Sequence, residues 1–293
     1  MHHAEIPQIA FATGGKTSKP DEESPALVEA LATLDIRAAI IPWDEPIDWA
    51  QIPLVVIRTP WDYFTRLSEF LKWTHDVDRV TRLENPSSVI QWNSSKRYLL
   101  DLKLQGVPIV PTKLISAEDY SKGFDLHGSF DSEELIVKPA VSAGAIGVLR
   151  AKRNDPALIR HIEELITNGD VLVQPLVPSI ATSGEVSIIF FGGVVSHAIR
   201  KQPALGDYRV QDDYGGTIHD HQPTQRELEV AHLALRAAPA PCAYARVDLV
   251  ATDVGPAIME LELIEPELFL RVSPTAADLY ATQLKALLRT LSH

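Results

Sequence analysis

Apolar and polar positions alternate through the first third of the chain with the rhythm of strands and helices in turn. Residues 8–12 read as a strand and a polar loop follows. Ser24 is placed to cap a helix with Pro25 at its first position and Leu27, Val28 and Leu31 as its apolar stripe. Residues 38–41 and 54–57 are further short apolar runs, and Leu67, Phe70, Leu71 and Trp73 mark a second helix. This order predicts a small parallel α/β lobe ending near residue 92. A helix capped around Ser94 or Ser95 then carries Lys96, Tyr98, Leu99 and Leu102, and a strand over 135–138 follows a polar loop. Asp155 and Pro156 open a helix that ends at Gly169.

From Val171 the pattern predicts mostly antiparallel strands. Residues 185–191 and 194–201 flank Gly192-Gly193, a two-residue hairpin signal. Thr224 and Glu227 have capping-box spacing for a helix to about Ala238. Strands over 244–250 and 257–263 precede a C-terminal helix. The expected fold class is therefore α/β followed by α+β, divided as 1–92, 93–170 and 171–293.

At 293 residues the chain can bury several packed units. A formal net charge of -12, with Lys and Arg scattered, argues against a nucleic-acid partner. The single cysteine, Cys242, excludes an internal disulfide and a Cys-rich zinc site, and its apolar context reads as a buried inert thiol. No run approaches the roughly 20 apolar residues that span a bilayer, and residues 1–11 hold no signal-peptide core. The expected compartment is the cytoplasm, with no membrane partner.

Gly14-Gly15-Lys16-Thr17 invites a phosphate-loop reading, but Ala10 stands where the motif needs glycine and Pro20 interrupts the helix start. A solvated loop is the better account. The stronger chemistry lies downstream. Period-two alternation puts Arg246 and Asp248 on one face of their strand, and Glu260 and Glu262 on one face of the next. Acids on neighbouring strands suit Mg²⁺, which takes a few carboxylates together with substrate phosphates. A solvated edge, or acids paired with Arg246, would produce the same pattern. Lys138 closes an apolar strand and precedes Ser142-Ala143-Gly144-Ala145-Ile146-Gly147, a loop small enough for backbone N–H groups to approach phosphate oxygens. Arg58, Asp62 and Tyr63 follow a strand where α/β folds place ligand contacts, or else pack with Trp61 in the seam between lobes.

Taken in order, these pieces resemble the ATP-grasp superfamily, in its glutathione-synthetase-like branch. The blocks are Trp92-Asn93-Ser94-Ser95-Lys96, Val137-Lys138-Pro139 with its small-residue loop, Val173-Gln174-Pro175, Gly184-Glu185-Val186-Ser187, Gly206-Asp207-Tyr208-Arg209 with Gly215-Gly216, Ala245-Arg246-Val247-Asp248, and Met259-Glu260-Leu261-Glu262. Arg58-Thr59-Pro60-Trp61-Asp62-Tyr63, with the acidic stretch 260–267, resembles the subgroup containing the D-cycloserine-forming ligase.

The resemblance implies an ATP-grasp fold: an N-terminal parallel α/β domain, a small central lid and a C-terminal antiparallel-sheet domain. It implies that Lys96, Lys138, Ser142 and Gly144 meet the nucleotide phosphates, and that Gln174, Pro175, Leu176 and Val177 form the adenine hinge. Glu185 would hold the ribose hydroxyls, and Lys201 and Arg209 would face the transferred phosphate. Asp248, Glu260 and Glu262 would hold two Mg²⁺ ions, although asparagine usually stands at the position of Glu262. Arg209 or Arg246 would stabilise the tetrahedral intermediate.

The implied activity is ATP-dependent ligation of a carboxylate to nitrogen through an acyl phosphate, on a small amino-acid-like substrate, with ADP and phosphate released. Ring closure within one molecule is the leading expectation. An intermolecular dipeptide or amide ligase, a small-molecule kinase and a non-catalytic ATP-binding module are the alternatives. A homodimer is admitted by the resemblance and specified by no segment.

Overall fold

The computed structural model describes residues 6–15, 21–124, 126, 128–210 and 214–291. Lys16 and Thr17 of the glycine-lysine run lie outside the described residues.

The first lobe runs β1 (Ile9–Thr13), α1 (Ser24–Ala32), β2 (Ala38–Pro42), β3 (Leu54–Thr59), α2 (Leu67–Val80), β4 (Arg82–Glu84) and α3 (Ser87–Asn93). Its strands pair in parallel in the order β2-β1-β3-β4. β1 and β3 are buried at every position, as expected of parallel strands covered on both faces. Ser24 does not cap α1. It is the first helical residue, and Asp21 instead accepts the N–H groups of Glu23 (3.0 Å) and Ser24 (3.1 Å).

The middle unit comprises α4 (Tyr98–Leu104), β5 (Lys113–Ile115), α5 (Ala117–Ser121), β6 (Glu134–Pro139), β7 (Leu149–Lys152), α6 (Pro156–Ile166) and β8 (Val171–Pro175). The strands form an antiparallel sheet in the order β5-β8-β6-β7. β8 is thus hydrogen-bonded between β5 and β6, so the middle sheet extends past the expected division at 170/171. Lys96 also departs from expectation: it sits in the turn before α4, not on the helix, and its N–H reaches the Ala140 carbonyl at 2.7 Å. Leu158 and Ile162 of α6 pack on Leu135, Val137, Val171 and Val173.

The last unit runs α7 (Ser179–Ser183), β9 (Glu185–Phe191), β10 (Val194–Gln202), β11 (Thr217–Asp220), α8 (Gln225–Arg236), β12 (Tyr244–Thr252), β13 (Gly255–Glu262) and α9 (Ala276–Thr290). Its antiparallel sheet has the order β11-β10-β9-β12-β13. The β9–β10 hairpin turns on Gly192 and Gly193 at φ 56° and 79°, the pair of positive angles that a two-residue turn matching strand twist requires. Thr224 and Glu227 form the reciprocal capping box.

One face of this sheet changes character along its strands. Phe191, Ile199 and Tyr244 pack with Tyr280 and Leu284 of α9 and with Leu27 and Leu31 of α1, which joins the first and last units through one core. Phe191 and Tyr280 stack with centroids 4.4 Å apart. Further along the same strand faces stand Glu185, Ser187, Lys201, Arg246 and Asp248. No helix among the described residues is long and apolar enough to cross a membrane.

Candidate active site

The polar end of that face forms the floor of a cavity of about 1040 Å³, closed above by the middle sheet and at one side by the first lobe. Cross-strand register assembles the floor: Arg246 pairs with Glu262 and Asp248 with Glu260 across β12–β13, while Asp248 pairs with Ser187 and Lys201 with Glu185 on the other ladders. The alternation expected from sequence is therefore realised, and the acids lie on a cavity floor in ion pairs with Arg246, Lys96, Lys138 and Lys201.

Arg246 holds both oxygens of Asp248, through Nε at 3.1 Å and Nη2 at 3.1 Å, and also contacts Glu262. Lys201 lies 2.5 Å from Glu185 and 3.6 Å from Asp248. Ser187 donates its hydroxyl to Asp248 at 2.5 Å. From above, Lys138 of β6 reaches Glu260 at 3.2 Å and Lys96 lies 3.8 Å from the same oxygen. Lys96 also donates to the Ser142 carbonyl at 2.8 Å, tying it to the small-residue loop.

Burial and partner charge compete at each group. Burial would push the Glu260 carboxyl up, but the Lys96 and Lys138 ammoniums prevail and hold it at about 2. At Asp248 burial is likewise outweighed, by Arg246 and Lys201, and the carboxyl stays below its ordinary value. Glu262 goes the other way: burial, only partly offset by Arg246 and reinforced by Asp248 and Glu260, lifts it to about 7. Burial lowers the Lys138 ammonium despite Glu260.

Asp248, Glu260 and Glu262 each offer a carboxylate oxygen, all within 4.8 Å of one another. A hard-oxygen set of this kind on the cavity floor fits Mg²⁺. Ser142, Gly144, Gln174, Pro175, Leu176, Val177, Glu185, Arg209 and Tyr63 all line the same cavity. The Leu176 N–H is taken by the Glu134 carbonyl at 2.9 Å, because Leu176 continues the ladder beyond β8, so it is not a free donor. The Gln174 side chain turns away to Thr112 at 2.8 Å. Arg209 is fixed by Asp207 (2.8 Å) with its guanidinium 3.7 Å from the Tyr214 ring centroid.

Two residues expected to meet substrate do not line the cavity. Arg58 is fully buried and pairs with Glu23 at 3.0 Å. Asp62 accepts from the Trp43 indole at 3.3 Å. Sequence reasoning gave no role to Ser187, though its same-parity spacing from Glu185 was a usable signal. It also missed Glu23 and gave no role to the segment 265–271, whose irregular backbone carries no periodicity to read. Burial pushes the Cys242 thiol up to about 12, in keeping with an inert role.

A nucleotide-sized cleft between two antiparallel sheets, with lysines above and carboxylates below, defines a class, and the chain belongs to the ATP-grasp ligases of the glutathione-synthetase-like branch. Residues 107–264 match the prokaryotic glutathione synthetase ATP-grasp domain family, and residues 9–85 match the N-terminal domain family of D-cycloserine synthetase DcsG. The chain is similar to the cycloserine biosynthesis protein DcsG of Streptomyces lavendulae, with 34% identity across 94% of this chain and 97% of that protein. The crystal structure of D-cycloserine synthetase DcsG superposes with a TM-score of 0.84 at 33% identity, covering 96% of this chain and 99% of that one. The D-alanine–D-alanine ligase of Bacillus anthracis shares the fold, with a TM-score of 0.64 at 16% identity over 98% and 97% of the two chains. Members of this class form C–N bonds with ATP and Mg²⁺.

Proposed function

We propose that the protein closes a ring within a small amino-acid-like molecule, as D-cycloserine formation requires, by activating its carboxylate as an acyl phosphate. The observation that carries this reading is the convergence of Lys96, Lys138, Lys201 and Arg246 with Asp248, Glu260 and Glu262 on one cavity. The near full-length likeness to DcsG supports the choice of substrate class.

A carboxylate is a poor acylating agent until one oxygen becomes a leaving group. The substrate oxygen attacks the γ-phosphorus and ADP departs; the attacking nitrogen then adds to the acyl carbon, phosphate departs, and the nitrogen loses a proton. Phosphoryl transfer needs alignment and charge neutralisation more than acid–base chemistry. Lys96 and Lys138 would bind the phosphates, which exchanges their contact with Glu260 for one with ATP. Glu185 would take the ribose hydroxyls, its carboxylate fixed by Lys201. Asp248, Glu260 and Glu262 would hold two Mg²⁺ ions, which supply further charge neutralisation at the transferred phosphoryl group. Arg246 and Arg209 would stabilise negative charge developing at the acyl carbon's oxygen. The Ser142–Gly147 region would exclude water from the acyl phosphate.

The test is ADP and phosphate release with Mg-ATP and a panel of amino acids including O-ureido-D-serine, with products resolved by mass spectrometry. Turnover of that compound alone to a ring-closed product supports the reading. Turnover only when a second amine is added, or silence across the panel despite Mg-ATP binding, would overturn it.

A further inference from the structure

Glu23, at the start of α1 in the first lobe, uses its whole carboxylate on a distant stretch of the chain. One oxygen accepts the Leu270 N–H at 2.8 Å; the other accepts the Leu268 N–H at 2.8 Å and the Arg58 guanidinium at 3.0 Å. The residue between, Phe269, is left-handed at φ 52° and ψ 39°. That conformation is unfavourable for a bulky side chain but turns the flanking N–H groups to one side, making an anion-binding concavity. Here the anion is the protein's own Glu23. Other side chains complete the hold: Arg58 donates to the Pro266 carbonyl at 3.3 Å, Trp61 to the Glu265 carbonyl at 3.1 Å, and His197 contacts the Leu268 carbonyl at 2.9 Å.

The held segment reaches the catalytic floor. Arg246 donates Nη1 to the Glu267 carbonyl at 3.1 Å, on the side of its guanidinium opposite the acids. The Phe269 ring centroid lies 5.7 Å from the Arg246 guanidinium carbon and 5.4 Å from that of Arg271, which also borders the cavity. Glu23 itself, satisfied by three donors, is fixed in place.

We infer that Glu23, backed by Arg58, is a positioning residue for acyl transfer: it sets the Phe269 turn, and through that turn the orientation of Arg246. The inference rests on the functional reading above, in which Arg246 acts after nucleotide binding. It separates two halves of the site. The nucleotide half depends on Lys96, Lys138 and the β8 edge, and of these only Lys96 interacts with segment 265–270, through the charge of Glu265 and not through the Leu268–Leu270 turn that Glu23 holds, so its affinity should depend little on Glu23.

Steady-state kinetics of Glu23→Gln test this. The expected result is a kcat at least tenfold lower with the amino-acid substrate, a KM for ATP within twofold of wild type, and partial recovery in Glu23→Asp, which keeps the charge. A folded Glu23→Gln protein with kcat within twofold of wild type would overturn the inference, as would equal damage to kcat and to the ATP KM. If Glu23→Gln does not fold, Phe269→Gly serves, because glycine adopts φ near 52° without strain while losing the ring; unchanged kcat there also overturns it. Wild-type turnover of O-ureido-D-serine judges the functional reading, and the variant-to-wild-type ratio, on whichever amino acid supports ADP release, judges this inference. Wild-type silence on every amino acid removes both.

Discussion

Lys138 on β6 and Glu260 on β13 meet at 3.2 Å although they are 122 positions apart in the chain. Their contact bridges the middle and C-terminal sheets, directly across the cavity. The ammonium that would serve a phosphate is thereby neutralised by one of the carboxylates of the metal set. Neither charge is left buried alone, which would cost several kcal/mol.

Lys138→Met should separate binding from stability. Losing a charge-assisted contact of roughly 1.5–3 kcal/mol raises the KM for ATP on the order of tenfold to a hundredfold. Stability should change little, because burial already disfavours the ammonium and Lys96 still faces Glu260. Coupled ADP-release assays and thermal melts check both halves; a large drop in Tm with ATP affinity intact would contradict the assignment.

Asp248→Asn keeps shape and removes one charge from the carboxylate set. Turnover should fall by about a hundredfold or more, on the scale of losing one strong electrostatic contact in a transition state. Mg²⁺ titration of the remaining activity should need higher metal concentrations. Arg246 and Lys201 then each lose one charged partner while keeping Glu262 and Glu185, so the melting temperature should also fall, by several degrees for a loss of about 1–3 kcal/mol.

Gly184 precedes Glu185 at φ 71°, and a Cβ there would fall on the Lys201 carbonyl oxygen. Gly184→Ala should therefore part the starts of β9 and β10 and displace the Glu185–Lys201 pair together. A stability loss of about 1–3 kcal/mol is expected for forced overpacking. ATP binding should also be weaker than in Gly193→Ala, a substitution at the far end of the hairpin where a Cβ meets nothing within 4 Å. Equal behaviour of the two variants would refute the steric argument.

His197 supplies a pH signature outside the metal cluster. Burial lowers its imidazole from 6.5, while contacts to Leu268 and Phe269 and the charge of Asp220 oppose that shift. A base with a depressed folded value is protonated first in the unfolded chain. Its contribution is therefore fully present above pH 6.5 and lost as pH falls from 6.5 through the folded value. Urea midpoints between pH 7.5 and about 5 should decline, with His197→Gln flattening the slope by less than the roughly 1.4 kcal/mol per pH unit of one full proton. An unchanged slope in His197→Gln would assign the decline to other groups.

Sequence alone determined what local rules govern. Period two placed Arg246 with Asp248 and Glu260 with Glu262 because successive strand side chains alternate faces. Glycine pairs and capping boxes marked the β9–β10 turn and the start of α8 because those signals act within a few residues. Tertiary structure alone decided which side chains became partners. Arg58 looked like a ligand contact from its place after a strand, yet its partner Glu23 stands 35 residues upstream and the segment it braces lies more than 200 downstream. Leu176 falls within the expected hinge 174–177, and only the fold pairs its N–H with the Glu134 carbonyl beyond β8. Segment 265–271 has no period, and its shape comes from long-range bonds to Glu23, Arg58, Trp61, His197 and Arg246 and from packing of Leu268, Phe269 and Leu270 in the shared core. Hydrogen bonds and ion pairs between distant residues leave no periodic trace in a chain, and those are the interactions that orient this site.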